Sequence, residues 1–154
     1  MKRILAVLLV FGLIAATWLP AQACSINPSV SFADVIANPS NYNNKSITIE
    51  GYYFSGFEIT ALSGALLPAS QPGNVVPQQP LIWISPGLST DIASQLYQQQ
   101  NTPSGYTEYY GKVTLEGYFD YGGSYGHLNA YSYQLELTRA KVLPWSPPES
   151  LTAT

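Results

Sequence analysis

Cysteine, histidine and cationic side chains are scarce in this chain of 154 residues, which has one cysteine, one histidine and six lysine or arginine residues. A single cysteine excludes an internal disulfide. One histidine beside one cysteine leaves only carboxylates to complete a metal site, and the acidic residues show no ligand spacing, so we expect no metal. The scarcity of cations argues against a nucleic-acid partner, because phosphate binding needs clustered lysine and arginine.

The sequence patterns of common enzymes are also missing. A nucleophilic site needs a nucleophile, a base and a group that orients the base, and His127 is the only histidine. Gly122-Gly123-Ser124-Tyr125-Gly126 matches the letters Gly-x-Ser-x-Gly, but it lies in a predicted loop between two strands, whereas a nucleophile elbow joins a strand to a helix, and no glycine-rich phosphate loop precedes a helix. We therefore expect neither enzymatic activity nor a cofactor, and a small hydrolase that uses His127 remains an alternative.

The first 23 residues have the organisation of an export signal. Lys2 and Arg3 precede an apolar run from Ile4 to Ala16, and the segment ends at Ala21-Gln22-Ala23. A basic start, an apolar centre and an Ala-x-Ala end are typical of a signal peptide, and no later stretch is long and apolar enough to span a membrane. Cleavage after Ala23 would leave an acidic single domain, because the formal charge of −3 becomes more negative by two.

Cys24 would then be the first residue of the exported protein, and two interpretations of it remain open. Ala23 suits the position before the lipid-attachment cysteine of a bacterial lipoprotein, although Ala21 stands where such proteins usually have leucine. Alternatively, ordinary signal-peptide cleavage leaves Cys24 with a free amine. We expect an exported protein, either periplasmic or anchored to the membrane only through a lipid on Cys24.

Turn residues and hydrophobic periodicity divide the exported part into a tether at 24–30, a domain at 31–143 and a proline-rich flexible tail at 144–154. Alternating or continuous apolar residues predict strands in the domain. These strands cover residues 45–54, 57–62, 81–85, 111–121 and 131–143. Capping patterns predict a short helix over 31–37 and a second one over 90–99, and the intervening residues 63–80 and 121–129 are predicted loops.

A repeat within the domain predicts its architecture. "ITIEGYYF" at 47–54 resembles "VTLEGYFD" at 113–120, and in each copy a glycine, Gly51 or Gly117, falls on the inward phase of its strand. A residue without a side chain there permits the bend or bulge that small closed barrels need. The order of elements is that of the OB-fold. We predict a mostly β fold, a five-stranded antiparallel OB-like barrel with a short helix between strands 3 and 4 and a short N-terminal helix.

Two resemblances extend this prediction. The openings "NPSNYNNKSITIEGYY" and "GKVTLEGYF" resemble the first and fourth strands of small exported bacterial OB-fold-like proteins of unassigned function. "ACSINPS", at 23–29, is similar to the mature start of the tissue-inhibitor-of-metalloproteinase family. That similarity implies a protease inhibitor whose free N-terminal Cys24 chelates the protease zinc, but the family ties this cysteine into a disulfide, and this chain has no second cysteine.

An OB-fold of this kind implies a ligand site on its second and third strands, between the loops that follow strands one and four. The residues that this resemblance selects are Glu58, Trp83, Tyr121, Tyr125, His127 and Tyr131. Aromatic side chains in a weakly charged setting suit a glycan or a peptide, so we expect a binding or envelope-interaction module with an envelope protein, peptide or glycan as partner. Two alternatives are that His127 only pins its loop, through a backbone carbonyl or Glu58, and that Glu50 and Glu116 face each other as an acid–base pair.

Overall fold

The computed structural model describes residues 29–101 and 105–152. The predicted signal peptide, Cys24 and most of the predicted tether therefore lie outside the described residues. The strands are β1 (Ser29–Ser31), β2 (Lys45–Gly56), β3 (Ile59–Ser63), β4 (Leu66–Pro68), β5 (Val75–Pro77), β6 (Leu81–Ser85), β7 (Tyr97–Asn101), β8 (Tyr106–Tyr125) and β9 (Tyr131–Val142). The helices are α1 (Phe32–Ala37), α2 (Thr90–Ala93) and α3 (Glu149–Thr152), with single 3-10 turns at Pro39–Asn41 and His127–Asn129.

The domain is built mainly from strands, which confirms the mostly β prediction. Within the described part of the chain, seven strands form one sheet in the order β1-β2-β3-β6-β9-β8-β7, and β4 pairs with β5 as a separate hairpin. Strand β2 also pairs with β8. Pairing is antiparallel except between β6 and β9 and between β1 and β2, which run parallel. The parallel β6–β9 pair departs from the all-antiparallel sheet that the sequence predicted.

Strand β8, with 20 residues, is the longest element in the described part of the chain, and most of the sheet pairs with it directly or through one neighbour. One of its edges pairs with β2 from Tyr109 to Phe119. Its other edge pairs with two strands. The pairing with β9 ends at Val113, and the pairing with β7 begins at Tyr110. A short seam at residues 111–112 separates these two partners.

Two clusters of buried side chains lie on opposite faces of the β2–β8 pair. Ile47, Ile49, Val113 and Leu115 belong to the main core, and their alternation along β2 and β8 confirms the predicted inward phase. The second cluster lies on the opposite face, because successive side chains of a strand point to opposite sides. It contains Phe54 and Tyr110 of the sheet, on which Leu66 and Val75 of the β4–β5 hairpin pack.

The two copies of the repeat pair with each other. Ile49 lies opposite Leu115, and the flanking pairs Thr48–Glu116 and Glu50–Thr114 are related by a local twofold axis through that central pair. The bulge expected beside Gly117 is present, because the β8–β9 register shifts between Glu116 and Gly117. At Gly51 an added Cβ would lie 2.8 Å from the carbonyl oxygen of Ser63, so the glycine permits a close approach of β2 and β3.

The N-terminal helix was predicted correctly, whereas several other boundaries were wrong. Ser31 Oγ accepts a hydrogen bond from the Asp34 N–H at 3.0 Å and so caps α1. Residues 63–80 contain β4 and β5, and the helix expected over 90–99 ends at Ala93. Residues 55–56, which separate the first two predicted strands, are part of β2, which extends to Gly56.

Gln99 explains why the predicted second helix is so short. Its amide Nε2 donates to the Val75 carbonyl at 2.8 Å and to Glu108 Oε2 at 2.6 Å, and its Oε1 accepts from the Val75 N–H at 2.9 Å. These bonds give every polar atom of the buried Gln99 side chain a partner. They require residues 97–101 to be extended as strand β7, beside β8 and near β5, so the helix cannot continue to residue 99. The long-range contacts thus override a helical pattern that had only a narrow apolar face.

The first part of the predicted tail packs against the domain. The Trp145 ring contacts Tyr52, Tyr97 and Tyr110 with centroid distances of 5.3, 5.7 and 6.4 Å. Leu151 packs against the second buried cluster. The described tail therefore covers part of the outer face of the sheet.

Candidate functional site

Two turns from different parts of the chain meet at one end of the sheet. Glu58 belongs to the turn between β2 and β3, and His127 belongs to the 3-10 turn between β8 and β9. His127 Nε2 lies 3.3 Å from Glu58 Oε2. This is the contact that the loop-pinning interpretation requires, and because both side chains are part-exposed it contributes no more than about 1 kcal/mol to stability.

Trp83 and Tyr131 form an aromatic pair beside this contact. Their ring centroids are 5.0 Å apart, with an angle of 50° between the planes. The backbone of Gly126, directly before His127, packs on both rings, because an added Cβ would lie 2.6 Å from Trp83 and 2.7 Å from Tyr131. Gly126 also has a positive φ of 69°, which favours glycine. The aromatic pair therefore fixes the path of the loop that carries His127.

Tyr125 closes the same loop. It pairs with Tyr131 across the β8–β9 ladder, after a register irregularity between Tyr121 and Tyr125. Burial raises the pKa of the Tyr131 phenol above its ordinary value of 10.0, so this hydroxyl stays protonated at neutral pH and can donate a hydrogen bond. We call Glu58, Trp83, Tyr125, Gly126, His127 and Tyr131 the rim.

Tyr121 occupies a different position from the other predicted residues. Its ring stacks on Tyr133 at 5.6 Å, and Tyr133 in turn stacks on the core residue Phe119 at 6.3 Å. The Tyr121 N–H donates to Asn43 Oδ1 at 2.8 Å. Tyr121, Tyr133 and Phe119 therefore form a stack of rings that extends outward from the core. The described ring contact of Tyr121 is with this stack, and Tyr121 is not part of the rim.

The backbone is strained at Glu58 and in the turn that follows His127. Glu58, Leu128 and Asn129 have φ values of 60°, 54° and 58°, although none of them is glycine. Left-handed conformations at such residues cost about 1–3 kcal/mol each and cluster at functional sites. Leu128 is also 83 % exposed, so the loop presents an apolar side chain to solvent.

One exposed aromatic pair beside the rim was not predicted from the sequence. Phe57 and Tyr106 stack at 4.5 Å with an angle of 10° between their planes, and they are 57 % and 45 % exposed. Phe57 precedes Glu58, whereas Tyr106 begins β8, so only the folded chain brings them together. The turn residue Phe57 was assigned to a strand, and that assignment concealed its exposure.

Glu50 and Glu116 do not form an acid–base pair. Each lies opposite a threonine, and each has its own cationic neighbour. Glu50 Oε2 is 3.8 Å from Lys112 Nζ, and Glu116 Oε2 is 3.1 Å from Arg139 Nη1. These are ion pairs on the outer face of the sheet, as expected of solvated strand carboxylates.

Chemically, the rim offers aromatic faces, a phenol donor and one carboxylate–imidazole pair. Across residues 29–101 and 105–152, no group of three or more histidine, cysteine or acidic side chains is placed to hold a metal ion. No helix among these residues has both the length and the apolar character needed to cross a bilayer. The rim can therefore stack on a ligand and exchange hydrogen bonds with it.

Comparison with known proteins adds no relative. No protein-family model matches the chain, and no curated protein or solved structure shows significant similarity to it.

Proposed function

We propose that this chain is an exported OB-like binding module whose rim holds a glycan or peptide of the cell envelope. The observation that carries the proposal is the Glu58–His127 contact beside the Trp83–Tyr131 pair. It joins the two loops that flank the ligand site of OB-folds and places polar groups next to aromatic faces. Binding sites commonly combine a few oriented polar groups with apolar walls in this way.

Two features support an OB-like barrel as the framework. The pairings β2–β3, β3–β6, β6–β9, β9–β8 and β8–β2 return to their first strand. The second feature is the contact between two turns at opposite ends of β8. Glu58 lies in the β2–β3 turn, near the start of β8, and His127 lies in the β8–β9 turn, after its end. Their side chains are nevertheless in contact. A sheet must curl strongly to bring opposite ends of a 20-residue strand to one place.

The charge of the domain favours an uncharged ligand. The chain has six cationic residues against nine acidic ones, and the rim contains one carboxylate and no lysine or arginine. A polyanion would meet net repulsion, whereas a neutral sugar or peptide can stack on Trp83 and hydrogen-bond with Tyr131 and Glu58.

Fluorescence tests the rim directly, because Trp83 and Trp145 are the only tryptophans after the predicted signal peptide. In a Trp145→Phe variant, Trp83 is the sole reporter. We expect its emission to change saturably on addition of an N-acetylglucosamine trimer or an alanine tripeptide. Tyr131→Ala should weaken that binding at least about fivefold, since the loss of an aromatic contact that contributes about 1 kcal/mol or more corresponds to that factor.

Tyr118→Ala provides the matched control. Tyr118 is 53 % exposed on β8 and lies opposite Ser46, away from the rim. We expect it to bind both probes as the parent does. An equal loss in Tyr118→Ala, or no response of Trp83 to either probe, would contradict binding at the rim.

Export and anchoring are tested by the intact mass of the protein after membrane and soluble fractions are separated. A lipoprotein should appear in the membrane fraction, beginning at Cys24 and carrying diacylglycerol on its sulfur. A soluble protein that begins at unmodified Cys24 would refute the anchor and return attention to inhibition of metalloproteases. A product that retains residues 1–23 would refute cleavage altogether.

A further inference from the structure

A cleft separate from the rim lies at the seam on the edge of β8, where the pairing with β9 ends and the pairing with β7 begins. Its volume is about 340 Å³, and none of its lining residues belongs to the rim. It is lined by Gln95, Leu96, Tyr97, Gly111, Lys112, Val142, Leu143, Pro144 and Trp145. A volume of this size accommodates a small organic molecule.

The aromatic wall of the cleft is held rigidly. Trp145 lies edge-on to Tyr52 and Tyr97, and the Tyr97 hydroxyl donates to the Trp145 carbonyl oxygen at 3.1 Å. The Leu143 N–H donates to the Lys112 carbonyl at 2.9 Å, which fixes the chain just before Trp145. A ligand would therefore meet a wall that is already in place, and preorganisation of this kind favours binding.

The floor of the cleft is equally constrained. Gly111 is buried, and an added Cβ there would lie 2.8 Å from Leu96 Cδ2. Leu96 is itself 6 % exposed and belongs to the main core. The floor is therefore apolar and closely packed, so it favours a hydrocarbon group over a hydrated one.

Lys112 is the only charged residue among the described residues that line the cleft. Its ammonium lies 3.8 Å from Glu50 Oε2, beyond hydrogen-bonding distance, and its side chain is 36 % exposed. The ammonium is thus paired with Glu50 without a hydrogen bond and keeps donors for another partner, and among the described residues that line the cleft no other side chain is ionic.

From this arrangement we propose that the cleft binds an apolar carboxylate, a small acid with an aromatic or branched hydrocarbon body. The body contacts Trp145, Pro144 and Leu96, and the carboxylate pairs with the Lys112 ammonium. A charge-assisted pair beside an apolar surface is stronger than the same pair in open solvent, because water screens it less. This site is independent of the rim and of the ligand proposed for it.

The test uses the Trp83→Phe variant, in which Trp145 is the only tryptophan after the predicted signal peptide. The probe is 3-phenylpropionate, and its neutral amide has the same shape without the charge. We expect a saturable change in Trp145 emission with the acid at a dissociation constant of about 1 mM or below. The amide should bind at least about tenfold more weakly, since the ion pair is missing.

Substitutions of two lysines distinguish a specific ion pair between Lys112 and the ligand carboxylate from a general attraction of the acid to positive charge. Lys112→Gln should weaken the acid at least about tenfold and leave the amide unchanged, whereas Lys112→Arg should keep most of the affinity. Lys141→Gln is the matched control, because Lys141 lies exposed on β9 opposite Thr114 and does not line the cleft. Thermal melts of each variant check that the fold is intact.

Three results would overturn the proposal. The first is equal affinity for the acid and the amide, which would leave Lys112 without a role. The second is an equal loss in Lys112→Gln and Lys141→Gln, which would indicate non-specific attraction. The third is the absence of any saturable Trp145 response up to about 10 mM acid, a concentration well above that needed for a specific site.

Discussion

Gly117→Ala is expected to lower the free energy of unfolding by about 3 kcal/mol or more, a severe effect for one methyl group. The added Cβ would overlap the carbonyl oxygen of Glu136 on the neighbouring strand and come within 3.1 Å of Leu135 Cγ. A backbone atom cannot rotate away as a side chain can, so β8 and β9 would have to separate at the bulge. Urea denaturation of the exported protein measures the loss.

Gly73→Ala provides the comparison for this variant. Gly73 has a positive φ of 79°, but no atom lies within 4 Å of an added Cβ. Its substitution therefore carries only the conformational cost of a left-handed residue, about 1–2 kcal/mol. If Gly117→Ala destabilises the protein no more than Gly73→Ala does, the close approach of β8 and β9 at the bulge is not a constraint on the fold.

Trp145→Ala should destabilise the domain by about 2–3 kcal/mol, somewhat less than removal of a fully buried tryptophan because the ring is only half-buried. The substitution removes the edge-on contacts to Tyr52, Tyr97 and Tyr110 and releases the chain segment that leads to Leu151. Thermal or urea unfolding measures the loss.

Trp145→Phe isolates the contribution of aromatic contact, since phenylalanine can still pack among the tyrosines. We expect it to lose less than half as much stability as Trp145→Ala. If both variants unfold at the parent's urea midpoint, the tail makes no energetic contribution, and the flexible tail expected from its prolines would be the better description of residues 144–152.

Strand positions were predictable because burial on one face imposes alternation. In β2 and β8, inward Ile47, Ile49, Val113 and Leu115 follow the period of two, and their partners on the outer face are polar. The extent of β8 was not predictable in the same way. Its last residues include Gly122, Gly123 and Ser124, which read as a loop, yet pairing with β9 resumes at Tyr125.

The candidate site was predictable only to the extent that the order of elements suggested an OB-like arrangement. That order brought Glu58, Trp83, His127 and Tyr131 into one prediction, and the structure places these residues in neighbouring contacts. Phe57 with Tyr106 and Trp145 with its tyrosines could not be predicted, because each contact joins distant parts of the chain. Periodicity reports which face a residue occupies, but not which distant residue covers it.

The shared edge of β8 has a consequence for the order of assembly. Strands β2, β7 and β9 all pair with β8, but β7 and β9 adjoin it in the sequence, whereas β2 is separated from it by β3 to β7. Residues before 106 can form the β2–β3 and β3–β6 pairs, but β2 keeps an open edge until β8 is available. Because distant pairings close large loops before they gain contacts, such topologies fold slowly. The C-terminal third of the chain thus sets the moment at which the whole domain can become stable.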